Sequence, residues 1–245
     1  MIVKPTAYPD EMKLRTEQEW RAYDDYYSEE TLDQPYFYHH DAREGAFLDS
    51  LISKYRIRKG SSVIDMGCGN GLHADLFQQR GMRVTGVDLS DKAIEYCKKK
   101  YGNKCEWLCA DAFNVQRDEQ YDVGFCFWFM YFNAFDVPSE GADAARRLMA
   151  PIKPGGKMFF VWHSDLSAVR LPPDRFSVMN YTIPQLSEFF RDFKVESYAV
   201  DSPAITCRVL GKYSYNKYVT RLSCGRVYMQ ASTWKRARLI IVVNK

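Results

Sequence analysis

SSVIDMGCGNG, from Ser61 to Gly71, predicts an apolar strand that ends near an acidic residue and runs into a glycine-rich loop. Glycine stands at every second position of the loop, at Gly67, Gly69 and Gly71. Because glycine has no Cβ and adopts conformations that other residues avoid, a flat polar cofactor can lie directly on such a loop. The stretch therefore predicts a nucleotide-type cofactor, and the residues around it decide which one.

Short apolar strands alternate with helical segments from Ser61 onward. Strands are predicted at 62–66, 83–88, 105–111, 121–128, 157–163, 194–200 and 237–245, with helices at 72–80, 90–100 and 141–150. This alternation is typical of parallel strands that are buried on both faces and joined by right-handed crossovers. We expect an α/β fold: a doubly wound, mostly parallel seven-stranded sheet with helices on both faces and an N-terminal helical cap.

The domain organisation follows from the absence of repeats and of long Pro-, Gly- or Ser-rich linkers, which favours one domain over 1–245. Within it we expect a helical cap at 1–60, with helices at 16–34 and 41–55. A cofactor-binding half follows at 61–163. The remainder, 164–245, would supply a substrate-side loop, a helix at 208–223 and the last strands.

Composition excludes several classes of protein. With 46% hydrophobic and 27% charged residues, the chain has the composition of a soluble globular protein. Its seven cysteines form no CxxC pair, which argues against a disulfide framework or a metal site. No signal peptide or membrane-spanning run is apparent, so we expect a cytoplasmic protein without a membrane partner.

Charge is unevenly distributed, although the formal net charge is only +3. Residues 202–245 contain nine Lys or Arg and no Asp or Glu. Such a segment is either a basic surface for an anionic partner or a solvated face that is balanced by acids elsewhere in the fold.

Three carboxylates fall at or near the ends of the first three predicted strands. Asp65, Asp88 and Asp111 are each 23 residues apart, about one strand–helix unit. In doubly wound sheets the ligand lies beyond the carboxyl ends of the strands. Asp88, 21 residues after Gly67, is where an acid accepts both hydroxyls of a ribose. Asp111 is placed to accept from an adenine amino group.

The spacing of the loop argues against two common nucleotide sites. A dinucleotide fingerprint needs GxGxxG, but the third position counted from Gly67 is Leu72, and the glycine comes one residue early at Gly71. No Gly-Lys-Ser/Thr follows, so a P-loop is also absent. The loop has nothing arranged for a pyrophosphate and suits a nucleoside with an uncharged linkage and an amino-acid tail.

Five motifs in order resemble the class I S-adenosylmethionine-dependent methyltransferases. They are DMGCGNG, VTGVDLS, CADAF, YDVGFCFWFM and LMAPIKPGGKMFF, and the resemblance covers roughly 43–163. It implies S-adenosylmethionine as the cofactor, with Asp65 and the loop facing its methionine portion. The loop positions are Gly67, Cys68, Gly69 and Gly71.

The same resemblance assigns the rest of the cofactor site. Asp88 would bind the ribose, Leu89 would pack on the adenine face, and Asp111 and Ala112 would hold the adenine edge. Phe127 and Trp128 would line the cofactor beneath its sulfonium. Arg43 is similar in position to an arginine that clamps the methionine carboxylate in small-molecule members such as glycine N-methyltransferase, and a guanidinium fork suits a carboxylate.

Catalytic candidates are few, because methyl transfer is an in-line displacement that needs no protein nucleophile and no metal. A general base matters chiefly when the acceptor must lose a proton. We expect that base to be His163, at the end of the fifth strand, or His40, in the connector that precedes the sheet. Tyr131 could supply a hydroxyl or an aromatic face near the sulfonium.

The acceptor is expected to be a small, possibly anionic metabolite that is methylated on O or N. No RNA-binding module is apparent, which argues against a nucleic-acid partner. We expect a monomer or a homodimer. Two alternatives stay open: a methyltransferase that acts on RNA or protein through its basic C-terminal segment, and a non-catalytic cofactor-binding protein.

Overall fold

Described residues of the computed structural model are Asp24, Tyr27, Leu32, 41–115, 117–127, 141–164, 188–201, 228–229 and 237–245. Their helices are α1 (Asp41–Tyr55), α2 (Leu72–Gln79), α3 (Asp91–Tyr101) and α4 (Gly141–Met149). Their strands are β1 (Ser62–Met66), β2 (Arg83–Asp88), β3 (Glu106–Cys109), β4 (Tyr121–Phe127), β5 (Ile152–Ser164), β6 (Lys194–Asp201), β7 (Tyr228–Met229) and β8 (Ala237–Asn244). No helix in this part of the chain is long and apolar enough to cross a bilayer.

These strands form one sheet in the order β3-β2-β1-β4-β5-β8-β6-β7. The pairings among β1 to β5 are all parallel, whereas β8 runs antiparallel to both of its neighbours, β5 and β6. The strand order reverses between β1 and β4, which opens a crevice at their carboxyl ends. The predicted doubly wound, mostly parallel α/β sheet is confirmed.

Helices cover both faces of the sheet and produce two hydrophobic layers. Buried residues of α1, α2 and α3, among them Phe47, Phe77 and Ile94, pack with Val63 and Phe125. On the opposite face α4 packs against Ile64, Met66 and Phe160. Because neighbouring residues of a strand point to opposite faces, Asp65 shares the face of Val63 and lies beneath α1 to α3.

Three details differ from the sequence prediction. The described sheet has eight strands instead of seven, since the two-residue β7 pairs with β6 at the edge. β5 begins at Ile152 instead of 157, because a bulge lets Ile152 pair with Tyr121 before the register resumes at Lys157. β3 ends at Cys109 instead of Asp111, and the physical reason is given with the site below.

Some predicted elements lie outside the described residues. The predicted helix at 208–223 is one of these. Of the predicted helix at 16–34, only Asp24, Tyr27 and Leu32 are described, and Asp24 and Leu32 are helical.

Candidate functional site

A glycine loop joins β1 to α2 at the crevice. Gly67, Gly69 and Gly71 have φ values of 73°, 51° and 75°, in the left-handed region that favours glycine. The backbone N–H groups of Gly67 and Cys68 both donate to the carbonyl of Val87, at 2.8 and 2.9 Å. The loop is therefore tied to the end of β2 and lies flat across the carboxyl edge of the sheet.

Asp88, the last residue of β2, organises this edge. Its Oδ2 accepts from the backbone N–H of Gly69 at 2.8 Å, and its Oδ1 accepts from that of Ser90 at 3.0 Å. Burial raises the pKa of this carboxyl, while the backbone N–H donors act to lower it. Each carboxylate oxygen has a second lone pair, so Asp88 can hold the loop and still accept from a ligand hydroxyl.

Asp65 is buried next to it, with 1% of its surface exposed. Burial raises its pKa to about 7; the charge of His73 acts to lower that pKa and the charge of Asp88 to raise it. Within the described part of the chain, its buried Oδ2 has no hydrogen-bond partner. A buried carboxylate oxygen of this kind is suited to a cationic donor from a ligand.

His73, in the first turn of α2, forms a buried ion pair with Glu44 of α1. Its Nε2 lies 3.1 Å from Oε2 of Glu44, and Glu44 is fully buried. The imidazole also contacts two aromatic rings at the end of β4, with centroids 4.4 Å from Phe127 and 5.1 Å from Phe125. The pair therefore links α1, α2 and β4, and His73 lies two residues after the last glycine of the loop.

Asp111 lies two residues beyond β3 and begins a short 3₁₀ turn, Ala112–Asn114. Its Oδ1 accepts from the backbone N–H of Phe113 at 3.0 Å, and its Oδ2 accepts from Nδ2 of Asn114 at 3.0 Å. This capping turns the chain away from the sheet and is why β3 is shorter than predicted. Asp111 and Ala112 are buried, whereas Leu89 is half-buried.

Three described residues of the N-terminal region lie against the same edge. Oγ of Ser90 donates to Oδ1 of Asp24 at 2.8 Å, and Nδ2 of Asn70 donates to the carbonyl of Leu32 at 3.4 Å. A Cβ added to Gly69 would lie 3.3 Å from the hydroxyl of Tyr27. Contacts from the predicted cap thus reach both the glycine loop and the turn after Asp88.

Of the remaining predicted site residues, two lie in described elements and three lie outside them. Arg43 lies in the first turn of α1, and His163 lies in β5 in register with Arg238 of β8. His40, Trp128 and Tyr131 lie outside the described residues. The structure therefore brings together Asp65, Asp88 and the glycine loop, and the ring of His73, whose charge acts on Asp65, also contacts Phe127.

The sequence prediction missed Glu44 and His73, although both carry a signal. Glu44 lies three, four and seven residues before Phe47, Leu48 and Leu51, on the apolar face of its helix, where an acid needs a partner. His73 is one of four histidines and follows the last loop glycine by two residues. Asp24, Tyr27 and Leu32 were missed because nothing in the sequence pairs them with the loop.

Among the described residues, no group of three or more His, Cys, Asp or Glu side chains could hold a metal ion. The five cysteines in this part of the chain are free thiols: Cys68, Cys97, Cys105, Cys109 and Cys126.

Comparison with known proteins identifies the family of this region. Residues 63–156 match the model of a methyltransferase domain. The ubiquinone biosynthesis O-methyltransferase of Nitrosomonas europaea is 34% identical over 104 residues, which cover 40% of this chain and 42% of that protein. The chain thus spans less than half the length of the curated relatives it matches.

Two solved structures share the fold over nearly the whole chain. The 1,6-didemethyltoxoflavin-N1-methyltransferase of Burkholderia thailandensis, with S-adenosylhomocysteine bound, superposes with a TM-score of 0.61 at 15% identity, covering 98% of this chain and 92% of that one. The magnesium protoporphyrin IX methyltransferase of Synechocystis, with S-adenosylmethionine bound, has a TM-score of 0.56 at 16% identity, covering 98% and 99%. Residues 63–156 thus match a methyltransferase domain, and the chain shares its fold with solved methyltransferases that carry S-adenosylmethionine or S-adenosylhomocysteine.

Proposed function

We propose that this protein transfers a methyl group from S-adenosylmethionine to an oxygen or nitrogen atom of a small molecule. One observation carries the proposal: the left-handed glycine loop is held by the buried carboxylate of Asp88, and the unpartnered carboxylate oxygen of Asp65 lies beside it. This edge of the sheet combines an open backbone surface, an acceptor for hydroxyls and an acceptor for a cation.

The residues fit the three parts of the cofactor. The ammonium of its amino-acid end would donate to Oδ2 of Asp65, which is buried and has no partner among the described residues. Its ribose hydroxyls would donate to Asp88, and its adenine would lie between Leu89 and the turn at Asp111 and Ala112. Phe127, half-buried at the end of β4, would lie near the sulfonium.

S-adenosylmethionine supplies an electrophilic methyl group, and the protein has to align an acceptor with it and exclude water. Alignment in a dry pocket is worth roughly 7–11 kcal/mol in favourable cases. We propose His163 or His40 as the base where the acceptor must lose a proton, and Tyr131 as a contact near the sulfonium. A positioned base adds about 10²–10⁴-fold.

A small acceptor is supported by two kinds of relative, one named for ubiquinone biosynthesis and one crystallised with 1,6-didemethyltoxoflavin. The basic segment at 202–245 supports an anionic group on that acceptor. Because a basic segment also attracts anionic macromolecules, RNA or protein is the alternative acceptor.

The cofactor assignment is tested by Asp88→Asn, which keeps one acceptor oxygen but removes the charge that holds the ribose and the Gly69 N–H. We expect binding of S-adenosylhomocysteine to weaken tenfold or more, that is by about 1.4 kcal/mol or more, measured by calorimetry. Asp91→Asn is the matched control: it removes an exposed carboxylate three residues away and should leave affinity within twofold. Equal affinity of Asp88→Asn and wild type would contradict the assignment.

The acceptor class is tested with methyl-labelled S-adenosylmethionine and fractionated cell extract. We expect label in the small-molecule fraction. Label in tRNA or protein would favour the macromolecular alternative, and salt-sensitive binding of bulk tRNA would support it. Cofactor binding with no transfer to any fraction would favour a non-catalytic role.

A further inference from the structure

The buried pair of Glu44 and His73 links α1 to the start of α2, next to the proposed cofactor site. Glu44 lies in α1. His73 is the second residue of α2, whose N-cap is Gly71. Their polar atoms are 3.1 Å apart, and the Glu44 side chain has no exposed surface. A buried carboxylate costs free energy unless it is paired, so this pair fixes the position of the imidazole.

The imidazole in turn contacts the groups that face the cofactor in the proposed function. Its ring is tilted by 30° against Phe127 with centroids 4.4 Å apart, and it touches Phe125, which is the register partner of Asp65 on the neighbouring strand. Burial raises the pKa of Asp65, and the charge of His73 acts in the opposite direction, toward the ionised form. One side chain thus supports both an aromatic wall and an anionic acceptor.

We propose that Glu44 and His73 are positioning residues for the amino-acid end of S-adenosylmethionine, an inference that rests on the proposed function. Glu44 holds the imidazole in place, and the imidazole fixes the Phe127 ring and, by its charge, favours loss of the Asp65 proton when the ammonium binds. Neither residue touches the reacting atoms. Their contribution is therefore to the binding of one part of the cofactor, and the nucleoside part should not depend on it.

A purely structural role must be distinguished, because the pair also joins two helices. The chain offers a matched link between the same helices. Arg80, next to the end of α2, donates from Nε to Oδ1 of Asp49 at 2.7 Å and from Nη2 to the carbonyl of Gly45 at 2.8 Å, both on α1. Asp49→Asn weakens that second link without changing any group near Asp65.

The test compares two ligands by calorimetry on the full chain. S-adenosylhomocysteine carries the amino-acid end, whereas methylthioadenosine shares the nucleoside and thioether but lacks it. For Glu44→Gln we expect S-adenosylhomocysteine to bind about tenfold more weakly and methylthioadenosine to bind within twofold of wild type. For Asp49→Asn we expect both affinities to stay within twofold.

His73→Gln serves as the second variant, since it places an amide near the lost Nε2 and should show the same selective loss. Equal weakening of both ligands, no weakening of either, or failure of both variants to fold would overturn the inference and leave the pair a structural link. If wild type binds neither ligand, the proposed function fails as well. If wild type binds and Asp88→Asn does not while Glu44→Gln is normal, only the positioning role is lost.

Discussion

Asp65 is a buried acid whose pKa is raised to about 7, chiefly by burial. His73 and Asp88 are the charged groups that act on it, and their effects oppose one another. Between its ordinary pKa of 3.8 and about pH 7, the folded protein therefore holds a proton on Asp65 that the unfolded chain has released. Burial of this carboxyl therefore makes folding less favourable at pH values where the unfolded chain is ionised.

This pKa predicts a pH dependence of stability. The contribution of Asp65 is fully present below its ordinary pKa of 3.8 and is lost as the pH rises through about 7. Between pH 5 and pH 8 the wild type should lose about 2–3 kcal/mol of unfolding free energy relative to Asp65→Asn. Urea denaturation of both proteins at four pH values measures the difference. Parallel pH profiles would show that Asp65 does not titrate in this range.

At the scale of single residues, sequence alone predicted which carboxylates and glycines meet at the carboxyl edge of the sheet. Asp65, Asp88 and the loop glycines follow from spacing, because each strand–helix unit has a similar length and its end is marked by the change from apolar to polar residues. The Glu44–His73 pair could not be found this way, since its members are 29 residues apart and meet only through the packing of α1 on α2.

Among the elements, the glycine loop and α2 are linked through Gly71, which is the N-cap of the helix at φ 75°. A Cβ at this position would lie 2.8 Å from Sγ of Cys97, 2.9 Å from the ring of Trp107 and 3.0 Å from that of Tyr101. The loop is therefore packed from below by α3 and β3. Both the dihedral angle and the space require glycine here.

Gly71→Ala is expected to destabilise the fold through both effects. Gly60→Ala is the matched control, because Gly60 has φ 81° but nothing within 4 Å of an added Cβ. The control should cost about 1–2 kcal/mol for the left-handed backbone. Gly71→Ala should cost roughly 1–3 kcal/mol more, for the overlap with the three side chains. Chemical denaturation measures both, and equal costs would contradict the packing argument.

Element boundaries were predicted to within a few residues where a helix or strand ends at a local signal. Ser90, whose hydroxyl accepts from the backbone N–H of Ala93, marks the start of α3. The third strand was overextended because its apolar run continues past Cys109, whereas Asp111 caps a turn of its own. The bulge that starts β5 early depends on pairing with β4, which no local pattern reveals.

For the whole molecule, β8 is the strand that joins the two parts of the described sheet. Ile241 lies in register with Phe160 on β5 and with Tyr198 on β6, and it is fully buried. Its side chain belongs to the layer that includes α4 residues and Phe190. The parallel half and the β6–β7 edge should therefore unfold together.

Ile241→Ala is expected to lower the unfolding free energy by about 2–5 kcal/mol, since it leaves a cavity in a close-packed layer. Unfolding should remain one transition by far-UV circular dichroism and by tryptophan fluorescence. Asn244→Ala, at the end of the same strand, should change stability by about 1 kcal/mol or less. Two separate transitions in the wild type would contradict the cooperative role of β8.

The fold class was predictable because alternation of strands and helices constrains topology strongly. The position of β8 inside the sheet was not, since a strand's neighbours depend on pairings between segments far apart in the chain. The contacts of Asp24, Tyr27 and Leu32 with the glycine loop and Ser90 were unpredictable for the same reason, because they also join segments far apart in the chain.

The place of β8 between β5 and β6 also sets an order of events during synthesis. β6 is complete at residue 201, but in the described sheet it reaches the parallel strands only through β8, whose residues are 237–244. A nascent chain can thus assemble β1 to β5 while β6 waits with an unpaired edge until some forty further residues have left the ribosome. In that interval the exposed edges of β5 and β6 are open to pairing with other chains, so the risk of aggregation is greatest just before translation of β8.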